Sequence, residues 1–151
     1  MKTAEAIKNI VLEQVNGYRS LLDLLQKERG CLVNLDAAGV EDISKEKDTI
    51  VLKLRLIEEE RCRLIEKFAT EHDVRGEITL QRLADLTGDE ALRMQRLQLI
   101  SLIQSINELN AFNMVLIGRS LNFIKHSMLF LNSFASPANP MGPGTILSKE
   151  I

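Results

Sequence analysis

The side chains that carry most enzymatic and metal chemistry are sparse in this chain. There are two histidines, His72 and His126, and two cysteines, Cys31 and Cys62, in 151 residues. A di-iron helical bundle needs Glu-x-x-His pairs on its inward faces, but Ala69 stands three residues before His72 and Phe123 three before His126. Two histidines leave a zinc site or a catalytic triad almost nothing to work with. The cysteines are too few and too far apart for a disulfide scaffold, and they read as small hydrophobes on helices in a reducing compartment. The densest acidic run, Glu58-Glu59-Glu60, reads as a solvated face and not as an acid–base pair, and no glycine-rich phosphate loop is present. No catalytic, cofactor-binding or metal-binding residue is expected, no cofactor is implied, and the chain is not expected to be an enzyme.

Association is the chemistry that remains. A net charge of −2 lacks the excess of Lys and Arg that nucleic-acid binding requires. Aromatic residues make up only 4% of the chain, and Leu, Ile, Lys, Glu and Arg dominate, a mixture that favours long helices over sheets. The start, Met1-Lys2-Thr3-Ala4-Glu5, has no apolar signal-peptide core, so a soluble, cytoplasmic protein is expected.

All three prolines fall between Pro137 and Pro143, which leaves residues 1–136 free of that helix breaker. Ile7, Val11, Gln14, Tyr18, Leu21, Leu25, Glu28, Leu32 and Leu35 follow alternating steps of four and three, as do Val40, Ile43, Lys47, Ile50, Leu54, Ile57, Arg61, Leu64 and Phe68 in steps of three and four. Each is a heptad seam, and the short link Asp36-Ala37-Ala38-Gly39 leaves room only for an antiparallel return. That hairpin sets Leu35 against Val40, Leu25 against Ile50 and Ile7 against Phe68. The same rule sets Glu28 against Lys47 and Gln14 against Arg61, so these four polar residues are expected to mark register more than to add stability.

The pattern lapses over 73–91, where Thr79 can cap a short helix near 79–87 that ends at Gly88, and Asp89 can cap a third long helix running to about Ala135. That helix differs in kind. From Val40 to Arg75, 18 of 36 residues are charged, whereas Gln98 to Ala135 holds only Glu108, Arg119 and Lys125. One apolar stripe runs through Leu99, Leu102, Ile106, Leu109, Asn113, Leu116, Ser120, Phe123, Ser127, Phe130 and Phe134; its bulk suits the face against the hairpin. A second includes Asn107, Asn110, Met114, Ile117, Leu121, Ile124, Met128 and Leu131. Two apolar faces need two things to cover them, and the hairpin covers one. The second stripe is therefore the expected partner-binding surface. A membrane span is not expected there, because Arg119, Lys125 and five asparagines interrupt the run. The expected architecture is all-α: one coiled-coil-like bundle domain over 1–136, then a flexible Pro- and Gly-containing tail over 137–151.

In order and spacing the chain resembles the flagellar type III export chaperones of the FlgN family over most of its length. The resemblance rests on Glu28 within Leu24-Leu25-Gln26-Lys27-Glu28, on Lys47 and Arg61 bracketing the apolar stretch of the second helix, and on Asn107, Asn110 and Asn113 leading into the run from Met114 to Phe134. The tail departs from the family pattern, with Pro140-Met141-Gly142-Pro143-Gly144 and no Tyr. The resemblance implies a cytoplasmic chaperone that binds the terminal helical segments of flagellar hook-associated proteins, FlgK- and FlgL-like, largely through the third helix, and prevents early aggregation or assembly. The alternatives are a self-associating structural bundle (a homo-oligomer) or an adaptor with no export role, and, third, a protein of lipid interfaces.

Overall fold

A computed structural model describes residues 2–135. The tail expected over 137–151 lies outside the described residues. Four helices follow in order: α1 (Lys2–Val33), α2 (Ala37–Glu71), α3 (Leu80–Thr87) and α4 (Glu90–Ala135). The chain runs up α1 and down α2, and α3 then packs beside the first turns of α4, which climbs again. α2 lies antiparallel and α4 parallel to α1, which packs against both. The fold is an all-α bundle of long helices.

The hairpin turn is tighter than the sequence pattern predicts. Leu35 is not part of the seam: it adopts a left-handed φ of 55° just after α1 and is exposed. The Asp36 amide donates to the Cys31 carbonyl at 2.8 Å and the Leu35 amide to that of Leu32 at 3.3 Å. This is a Schellman closure with a non-glycine residue at its left-handed position. Asp36 then serves the next helix as well, its carboxylate accepting from the Gly39 amide at 3.0 Å. α2 thus starts at Ala37, inside the stretch read as a link. A side chain at Gly39 would collide with the Asp36 carboxylate and the Cys31 sulfur, so the turn needs glycine there. Further along, a Cβ on Gly17 would come within 2.6 Å of Leu54 Cδ2, which marks a close approach of α1 and α2.

α2 ends on a second closure of the same type. Asp73 has φ 50°, the Val74 amide donates to the Ala69 carbonyl at 2.9 Å, and the His72 ring stacks on Phe68 at 4.2 Å. The caps of α3 and α4 fall where the sequence places them. Thr79 accepts from the Arg82 amide at 3.1 Å, Gly88 is left-handed at φ 67°, and Asp89 accepts from the Ala91 amide at 2.9 Å. Asp89 also meets Lys8 at 3.3 Å, which pins the start of α4 beside the first turns of α1.

The core gathers at that base. Ile7, Val11 and Val15 of α1 pack with Leu64 and Phe68 of α2, Ile78, Leu83 and Ala84 around α3, and Leu92 and Leu99 of α4. Ile7, Val11, Val15, Leu83 and Ala84 are completely shielded from solvent. α3 is only 8 residues long, yet its Leu83 and Ala84 are fully buried in this core.

Candidate protein-binding surface

The lengths of the helices create the surface. α4 has 46 residues and α1 has 32, and the two start almost level. Alongside α1, the first stripe of α4 turns inward: Leu99 and Asn113 are buried, and Leu102, Ile106, Leu109, Leu116 and Ser120 are half-buried. Past about residue 120 the hairpin has ended. The remaining turns of α4 project roughly 22 Å beyond it at 1.5 Å per residue. Phe123, Phe130 and Phe134 are therefore 61%, 63% and 72% exposed, not packed on the hairpin as their bulk suggested. The expected core stripe is core only as far as the hairpin reaches. Phe130 and Phe134 cover each other edge to face, with ring centroids 4.8 Å apart.

The second stripe is open along its length. Asn107, Asn110, Met114, Leu121, Ile124, Met128 and Leu131 are exposed and Ile117 is half-buried. Two concavities flank this stripe. Toward the hairpin tip, a cavity of about 480 Å³ lies between Ile117, Leu121, Phe123 and Ile124 of α4 and Cys31, Leu32, Leu35 and Val40 of the hairpin. Toward the base, a larger groove of about 700 Å³ separates Ile65 and Ala69 of α2 from Leu99, Ile100 and Ile103 of α4.

Between the two, polar side chains tie the helices together. Glu28, on α1, is almost fully buried: one carboxylate oxygen accepts from Lys47 of α2 at 2.6 Å and the other from the Asn113 amide of α4 at 3.0 Å. Asn113 also donates to the Leu25 carbonyl at 3.0 Å, while its own Oδ1 has no protein partner. Lower down, Arg61 donates to Gln14 at 3.0 Å and to Glu58 at 2.6 Å, and Gln14 donates in turn to Glu58 at 2.5 Å. The structure thus brings together Glu28 with Lys47 and Gln14 with Arg61. Asn113, as the third member of the upper cluster, escaped the sequence reading, although it was the one Asn of the spaced series lying on the inward stripe. Glu58 escaped as well, since it lies one residue off the seam.

The Glu60 carboxyl is held below the ordinary carboxylate range by its hydrogen bond to Arg63, on an open surface. Among the described residues no cluster of His, Cys, Asp and Glu could hold a metal ion, and no helix is long and apolar enough to cross a membrane.

No curated protein and no solved structure matches the chain. A family model does: that of the FlgN protein, over residues 1–141. With nearly the whole sequence matched, and with a long helical bundle that leaves one apolar helix face uncovered, the chain belongs to the FlgN family of flagellar export chaperones.

Proposed function

We propose that this protein works in the cytoplasm, binding the terminal helical segments of hook–filament junction proteins, FlgK- and FlgL-like, and keeping them from aggregating or assembling before export. The observation that carries this reading is the exposed apolar length of α4, Leu121, Ile124, Met128 and Leu131 above all. Segments that later pair with one another present an apolar stripe, and a long uncovered helix offers it a substitute partner by helix-in-groove packing. The flexible thioethers of Met114 and Met128 suit more than one client. Asn107 and Asn110 contribute amides at the edge of the stripe. In this reading Gln14, Glu28, Lys47 and Arg61 do not touch the client; they set the register of the hairpin that carries α4.

The test is Leu121→Asp combined with Leu131→Asp. Both residues are exposed, so helicity by circular dichroism should be unchanged, while calorimetric titration with the C-terminal peptide of a FlgK-like protein should show binding lost, because a client would bury two unpaired carboxylates. A folded double variant that binds as well as the parent places the site elsewhere. The exposed stripe also admits self-association, the second reading. Light scattering separates the two: added client dissolves a chaperone's self-association and leaves an obligate oligomer intact.

A further inference from the structure

Three helices in this structure are closed by a residue in the left-handed region, and the residue types differ. Gly88 closes α3 and Asp73 closes α2, at φ 67° and 50°. Glycine enters that region without a steric penalty, and Asp is among the few other residues that visit it. At the hairpin tip the same position holds Leu35, at φ 55°. A leucine gains nothing there from the backbone, and its side chain is 62% exposed. Left-handed residues other than glycine gather at ligand clamps and switch regions. A local rule broken with no gain inside the fold points to a functional site.

Leu35 lines the upper cavity. With Leu32 and Val40 it forms the hairpin wall, opposite Leu121, Phe123 and Ile124 of α4. The lining holds one charged residue, Asp36, whose carboxylate accepts from the Gly39 amide. A fitting occupant is therefore apolar. The volume is about 480 Å³; a cavity of about 150 Å³ already holds benzene, so two bulky side chains fit here. The four residues that carry the chaperone reading, Leu121, Ile124, Met128 and Leu131, offer no more than roughly 500 Å², at about 60–120 Å² for each buried side chain. A stable interface buries about 800 Å² on each partner. A client seated on that stretch alone falls short. The tip cavity shares Leu121 and Ile124 with the stretch and so extends the same surface.

Resting on the chaperone reading above, we propose that Leu35 is a client-contacting residue. The client's amphipathic helix lies along α4 between Leu131 and Leu121 and sets two bulky apolar side chains, one turn apart, in the cavity at the hairpin tip. The helix closure fixes the Leu35 backbone through the amides of Leu35 and Asp36. The leucine therefore meets the client without a loop having to be ordered first. α4 alone would offer a ridge; the tip adds a pocket, the kind of feature in which a few anchor residues carry most of the binding.

The test is Leu35→Gly and Leu35→Asn in the full chain, each titrated with the C-terminal peptide of a FlgK-like protein. Both replacements accept a left-handed backbone, so the melting temperature should hold or rise. Binding should weaken about tenfold, as the lost burial of one leucine implies. Val33→Ala is the control. Val33 is 63% exposed and lies outside the cavity lining, so this variant should bind within about twofold of the parent. If both Leu35 variants bind like the parent while Leu121→Asp with Leu131→Asp loses binding, the client lies on α4 alone; the proposal is then overturned and the chaperone reading stands. If none of these substitutions affects binding, both fail. A drop of several degrees in the melting temperature of both Leu35 variants also overturns the proposal, since the leucine would then be holding the hairpin itself.

Discussion

At the base of the bundle Leu83, Ile7 and Val11 are wholly enclosed by segments from all four helices, whereas Leu121, Phe130 and Leu131, of the same chemical kind, stand more than three-fifths exposed. Nothing in the side chains separates the two groups. The difference lies in what is available to cover them. At the base, α3 packs beside the first turns of α4 and supplies Leu83 and Ala84; at the far end, α1 and α2 have turned back at Asp36 and α4 continues alone. Burying a large apolar side chain is worth about 1.5–3 kcal/mol. The base has used that free energy for folding. The far half of α4 still holds it for association, less the cost of ordering a partner.

The sharpest way to break this comparison is to truncate one leucine from each region. Leu83→Ala should destabilise the fold by about 2–5 kcal/mol, as enclosed leucines do. Leu131→Ala should stay within about 0.5 kcal/mol, as exposed positions do. Denaturant unfolding measures both, and a large loss at Leu131 would mean that the end of α4 is already covered in the free protein.

A smaller effect is expected at the border between the regions, where Glu28 joins three helices. Glu28→Ala leaves the Lys47 ammonium and the Asn113 amide without their shared acceptor and should cost about 1.5–3 kcal/mol, the range for hydrogen bonds to charged groups. Lys47 keeps about a quarter of its surface in water, which favours the lower end of that range. A double-mutant cycle between Glu28 and Lys47 should show coupling above about 0.5 kcal/mol. Coupling within the error of additivity would show that the pair contributes nothing to the hairpin and would remove its proposed role in register.

The smallest effect concerns Asp89, where α4 is anchored at the base. Burial works against ionisation there, but the Lys8 ammonium and the amides of Leu92 and Ala91 outweigh it and hold the carboxyl below its usual range. A depressed carboxylate contributes stability that is fully present above the unfolded value, about 3.9, and is lost as pH falls through the lower folded value. Asp89→Asn keeps a capping side chain and removes the charge. It should lower stability at pH 7 by less than about 1 kcal/mol, as charges at helix N-termini do, and the gap to the parent should narrow in acid. Urea melts at neutral and acidic pH check this; a gap that widens in acid would contradict the sign.

Local chemistry wrote much of this protein into its sequence. Seam periodicity, an absence of proline before Pro137, and the caps Thr79, Gly88 and Asp89 are decided by residues within a turn or two of each other, so the helices and most of their ends could be read directly. The facing of Glu28 with Lys47, and of Gln14 with Arg61, was also legible, because a short link forces two mirrored seams into one register. Leu35 was not legible, since its left-handed turn depends on hydrogen bonds that only the closed hairpin makes. The three phenylalanines of α4 were misplaced for a related reason. Periodicity says which residues share a face, but the position of the last turn of α1 beside α4 decides where that face stops being core. Asn113 and the lower groove between α2 and α4 depend on the same placement. They acquire meaning only when Lys8 and Asp89 fix α4 parallel to α1, a contact between residues 81 apart in the chain that no local pattern encodes.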